Sequence, residues 1–146
     1  MRFRPAGLAV LAVAVVAGCG GVSASVADLR HDAAVICRQV NHRFRGLAGP
    51  ATEAQDAGFL SSGSSRLQAQ LQELRRVVPP RDVADVYHAG LSALGQELTA
   101  LHGAVTAIDQ GTDPGMAYRA LGRQRGPLES QVNQAWQALQ IADCLQ

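Results

Sequence analysis

The sequence predicts an all-α protein, an antiparallel up-down four-helix bundle, on three observations. Apolar residues recur at three- and four-residue spacing through four segments. Proline, glycine and serine clusters separate those segments, and connections this short favour antiparallel neighbours. No β-branched run bounded by turns occurs beyond the first 18 residues, so no strand is expected.

The chain begins with Arg2 and Arg4, followed by "GLAVLAVAVVAG" at 7–18, an uncharged and mostly apolar stretch. Spanning a bilayer takes about 20 such residues, so this stretch is too short and instead has the form of a secretory signal peptide. At its end Val16, Ala17, Gly18 and Cys19 resemble the lipobox of bacterial lipoproteins: a branched apolar residue, two small residues and a cysteine. The resemblance implies that the Cys19 sulfur carries a diacylglycerol and that cleavage falls between Gly18 and Cys19. It also implies a domain held on the extracytoplasmic face of the cell membrane, because two acyl chains anchor stably where one does not. An ordinary cleaved signal with an incidental cysteine is the other reading, and four consecutive matching positions weigh against it.

Three parts follow: a signal peptide at 1–18, a lipidated cysteine with a short tether at 19–25, and a helical domain at 26–146. Beyond residue 18 the chain keeps eleven arginines against twelve acidic residues, a formal charge of −1 that gives no reason to expect nucleic acid as a partner. All basic side chains are arginine. With Cys19 set apart as the lipid site, Cys37 and Cys144 remain, and in an exported protein a disulfide between them is the default. A metal pair or two free thiols are the alternatives, and no C-x-x-C spacing supports a metal.

Ser25 and Asp28 have the form of a helix start, and Leu29, Ala33, Ile36, Val40, Phe44 and Leu47 follow at helical spacing, with Cys37 beside the stripe. Gly46, Gly49 and Pro50 are expected to end this helix. In "ATEAQDAGFLSSGSS", 51–65, Thr52 and Gln55 suit a brief helix, but Gly58 and the serine cluster read as a loop. Ser65 with Gln68 then predicts the start of helix 2, striped by Leu67, Leu71, Leu74 and Val78 and stopped by Pro79 and Pro80. Pro80 also suits the first turn of helix 3, whose stripe runs Val83, Tyr87, Leu91, Leu94, Leu98, Leu101, Val105 and Ile108 before Gly111. Asp113 and Pro114 predict the start of helix 4, with Ala117, Leu121, Leu128, Val132, Ala135, Leu139 and Ala142 on one face. Pro127, behind Gly126, should kink this helix or split it in two.

An even number of alternating helices puts the start of the first and the end of the fourth at the same end, where Cys37 and Cys144 can meet. Cys37 lies about a dozen residues into helix 1, roughly 18 Å along it, so the first turns of that helix are expected to project past the end of helix 4. The layout "AAVICRQVN", a leucine heptad running into "VPPRDV", a long leucine-striped helix and a closing "IADC" is similar to small helical exported proteins and lipoproteins of actinobacteria. That likeness implies the fold and no activity.

Chemistry-bearing residues form no catalytic constellation. His31, His42, His88 and His102 have no metal-binding spacing, and about 21 Å of helical rise separates His88 from His102. The serines at 61–65 lack a G-x-S-x-G setting, and Asp82 with Asp85, like Asp109 with Asp113, sits where helix capping accounts for it. No catalytic residue, metal ligand or cofactor is expected. Arginines at 38, 43 and 45 and at 119, 123 and 125 make two basic clusters, read as solvated faces or as contacts with anionic head groups, since the tether reaches at most about 20 Å. The expected role is a non-enzymatic, membrane-anchored module presenting a surface to an envelope protein or wall polymer. The alternative is a binding module for a small apolar or lipid ligand, in a gap opened near Pro127 and lined by Tyr87, Tyr118 and Trp136.

Overall fold

A computed structural model describes residues 25–45 and 53–146, with side chains from Gly58 onward in the second segment. Its regular elements are all helical: α1 (Val26–Arg43), α2 (Glu53–Leu74), α3 (Ala84–Asp109) and α4 (Pro114–Ala138), with 3-10 turns at Arg81–Val83 and Ala142–Cys144. Neighbours in sequence run antiparallel. Asn41 and Cys37 of α1 meet Arg66 and Gln70 of α2, Tyr87 of α3 meets Leu74 of α2, and Gly90 and Glu97 of α3 meet Ala135 and Arg125 of α4.

Local chemistry sets most of the ends. The Ser25 hydroxyl accepts from the Asp28 amide, and Asp28 itself puts negative charge in the first turn of α1. The Asp113 carboxylate accepts from the Met116 amide, with Pro114 at the first helical position of α4. α3 closes as a Schellman turn: the Thr112 amide reaches Ala107 O, the Gly111 amide reaches Ile108 O, and Gly111 takes φ 90°. α4 closes the same way through Gln140 at φ 58°, a left-handed backbone that costs any residue with a Cβ.

Three expectations need correction. The serine-rich stretch is not a loop: α2 runs from Glu53 through Gly58 and Ser61–Ser65, and the Ser65 hydroxyl donates to Ser61 O within the helix instead of capping its start. Leu60, Ser64, Leu67, Leu71 and Leu74 are all buried, so the stripe extends back two turns to Leu60 through a small polar residue, and packing overrides weak propensity. The same helix stops at Leu74, which leaves Val78 44 % exposed beyond it. Of the two outcomes expected at Pro127, a kink or a split, the split does not occur: α4 runs unbroken through it, although the proline removes one backbone bond. Gly126 has no Cβ to meet the proline ring, which relieves the clash that normally drives a pre-proline residue out of helical backbone.

The third correction concerns Cys144, which lies in the 3-10 turn after α4 and not at the end of that helix. From Leu139 onward the chain runs along α1 in the direction of α1. The Arg30 Nε donates to Leu139 O at 2.8 Å, Cys144 bonds Cys37, and Arg38 pairs with Asp143 at 2.6 Å. The first turns of α1 are therefore covered by this strap and do not project past it; Leu29 is fully buried. α1 ends at Arg43, with Phe44 capping, while Leu47, Gly46, Gly49 and Pro50 lie outside the described residues.

Candidate functional site

Gly18, Cys19 and the tether lie outside the described residues. Cys37 and Cys144 are joined as a disulfide, with Cα atoms 5.2 Å apart and a sequence separation of 107. Both are buried, on a face of α1 made by Leu29, Ala33, Cys37 and Val40. Cys37 is thus on the apolar stripe, while Ile36 is only partly buried. The Gln70 amide nitrogen, 3.3 Å from Cys37 Sγ, donates to it from α2.

The aromatic residues expected to line a gap are divided. Tyr87 and Trp136 are fully buried and pack edge to face, 5.8 Å between centroids and 66° between planes, so they fill the core and bound neither of the two openings beside it. The Tyr87 hydroxyl donates to Leu74 O at 2.7 Å, satisfying a carbonyl at the end of α2. Burial first, and then the charge of Asp32, push the Tyr87 phenol far above its ordinary range. Tyr118 does line an opening, but with other partners.

That opening is a cleft of about 580 Å³ between α2 and α4, floored by α3 and bounded by residues 145 and 146 at one side. Its walls include Leu60, Leu67 and Leu121, with Gln70, Glu97 and Arg125 as polar groups. Glu97 is fully buried although its residue type is rarely found so. Arg125 meets it with two donors, Nε at 2.7 Å and Nη2 at 2.6 Å, and both go to Oε1. Oε2 has no hydrogen-bond partner among the described residues. Gly63 of α2 and Gly122 of α4 also line the cleft, and a Cβ added at either would meet nothing within 4 Å.

A second opening, a shallow apolar groove of about 930 Å³, follows Ala100, Ala104 and Ala107 of α3 and reaches Pro127 and Leu128 of α4. The groove near Pro127 and the cleft beside Tyr118 are separate places, so the three aromatics and the proline do not build one gap.

The signal for Glu97 is present in the sequence. It stands three residues after Leu94 and four before Leu101, at a core position of the α3 stripe, where a carboxylate demands a partner. Arg125 cannot be matched to it from spacing alone, because the pairing crosses from α3 to α4.

Of the arginine clusters, Arg38 and Arg125 are held in ion pairs and Arg43, Arg45, Arg119 and Arg123 lie on the surface. All four histidines are exposed, and among the described residues no three His, Cys, Asp or Glu side chains gather where they could hold a metal ion. No described helix is long and apolar enough to cross a membrane. The chain matches no protein-family model, no curated protein and no solved structure.

Proposed function

We propose that the chain is an exported lipoprotein, anchored through Cys19, whose helical domain acts without catalysis as a binding or interaction module at the extracytoplasmic face of the membrane. The observation that carries this reading is "VAGC" at 16–19, which closes a short apolar stretch that follows a positive n-region. The Cys37–Cys144 disulfide supports it, because such bonds persist in oxidising compartments and are rare in reducing ones. The tether is short, so the first turns of α1, and the strap laid along them, stand close to the anchoring surface. A wall polymer or an envelope protein is the partner this placement suits.

Fractionation of cells carrying Cys19→Ala tests the anchor: the variant should leave the membrane fraction, and an unchanged membrane fraction would refute it. One observation favours small-molecule binding as the module's role over a purely structural one. It is the cleft beside Glu97, a concave space of mixed lining in which leucines stand next to Gln70, Glu97, Arg125 and Glu129.

A further inference from the structure

We infer that the α2–α3–α4 cleft is a binding site for a small amphiphile whose head group donates an N–H or O–H hydrogen bond to Glu97 Oε2 and whose apolar body lies among Leu60, Leu67 and Leu121. This rests on the ligand-binding reading of the module and is independent of the lipid anchor.

The buried carboxylate carries the chemistry. Removing a carboxylate from water costs several kcal/mol, and replacing a buried ion pair as a whole by well-packed apolar residues is often neutral or stabilising. Glu97 keeps that cost with both Arg125 donors on one oxygen, leaving the other with lone pairs and no donor. A site that needs only a neutralised charge would place one guanidinium donor on each oxygen, the usual fork geometry. The observed pairing instead holds the carboxylate by one side and leaves Oε2 buried without a donor, so a ligand group entering from the cleft meets it by displacing the side chains that cover it.

The second observation is space. Glycine inside a helix costs roughly 0.5–1 kcal/mol against alanine, and Gly63 and Gly122 stand inside helices where an added methyl group would meet nothing within 4 Å. Neither is needed for close packing, and neither has positive φ. Each leaves the cleft wider than any side chain would. A volume of about 580 Å³ suits a ligand of moderate size.

An acceptor-only carboxylate discriminates among head groups. An ammonium or hydroxyl can donate to Oε2, whereas an ionised carboxylate cannot and is also repelled. A ligand with no donor group would leave Oε2 unsatisfied and gain nothing from Glu97.

Three probes of one shape test this on the full chain with its disulfide oxidised: cyclohexylmethylamine, cyclohexylmethanol and cyclohexanecarboxylate, each titrated calorimetrically. Both donors should bind at least tenfold more tightly than the carboxylate. Gly63→Leu/Gly122→Leu, which fills the cleft while improving helix propensity, should weaken both donors at least tenfold without lowering Tm. Glu97→Leu/Arg125→Leu should remove the preference for donors. Binding of the carboxylate as tightly as the donors, lost on filling the cleft, would overturn the head-group assignment while leaving ligand binding standing. No binding by any probe, or binding indifferent to the filled cleft, would overturn both.

Discussion

α3 touches two different environments along its length. From Tyr87 to Leu94 it lies in a closed core with Leu74, Val132 and Trp136. One turn further on, at Glu97 and Leu101, it lies beneath a cleft and carries a buried carboxylate. Glycine marks both regions with opposite meanings. At Gly90 an added Cβ would stand 3.0 Å from Ala135 Cβ and 3.4 Å from the Trp136 ring, whereas at Gly122 it would meet nothing. The difference separates what holds the fold from what the fold leaves available: the closed region is filled and cross-linked, and the open one retains space and an unpaired acceptor at a cost in stability.

Breaking the cross-link should have the largest effect. Cys37→Ser or Cys144→Ser reopens a loop of 107 residues, worth about 4–5 kcal/mol in the chain-entropy account, measured by urea unfolding against wild type. Local amide exchange sharpens the contrast. Protection should fall most in α1 and at 141–144, and an equal fall around Glu97 would show that the two regions are one cooperative unit.

The ion pair ranks next. Arg125→Ala leaves Glu97 as a buried charge with no partner and should cost about 3 kcal/mol, near the lower end for buried pairs because the guanidinium is 36 % exposed. Glu97→Leu/Arg125→Leu should instead match or exceed wild-type stability. If the double variant is as unstable as the single one, Glu97 belongs to the structural core and α3 does not divide into a closed and an open part.

Alkaline titration probes the closed region through Tyr87. Its phenol is held protonated far above the ordinary value near 10, so below about pH 10 native and unfolded chains bind the same proton and its contribution is complete. Above that, the unfolded chain releases the proton first, and stability should fall by about 1.4 kcal/mol per pH unit until the native phenol also titrates. The chain has no lysine, which leaves few other groups to confuse the slope. Tyr87→Phe should flatten it, and a slope unchanged in that variant would mean the phenol is not the group responsible.

The closed region is the more legible of the two in the sequence. Leucine spacing and the pairing of Cys37 with Cys144 express a local geometry and a strong pairwise constraint there, as the Asp113–Pro114 start and Gly111 do at the turn between α3 and α4. Ser64 hides one turn of α2 because a small polar residue at a core position looks like a loop residue until the neighbouring helix is known. Cys144 reads as helical because nothing local announces the turn after Leu139: Gln140 takes a left-handed backbone that glycine usually signals. Glu97 interrupts a stripe, yet its meaning depends on Arg125, 28 residues away on another helix. Features set by contacts between helices carry no periodicity, and the cleft is made of such features.

The smallest effect is the most direct test of the contrast, because one substitution is made at both sites. Gly90→Ala gains about 1 kcal/mol of helix propensity but forces a methyl against Ala135 Cβ, which is fixed to the backbone of α4 and cannot rotate away. Overpacking of this kind costs about 1–3 kcal/mol, so the net change should be a loss near 1 kcal/mol. Gly122→Ala meets no neighbour and should gain roughly 0.5–1 kcal/mol from propensity alone. Thermal unfolding of the two variants should therefore move Tm in opposite directions. A gain at both would mean that α3 and α4 part freely at Gly90 and that the closed region is looser than its packing indicates. A loss at Gly122 would mean that the cleft closes in solution, and it would count against an occupant as well.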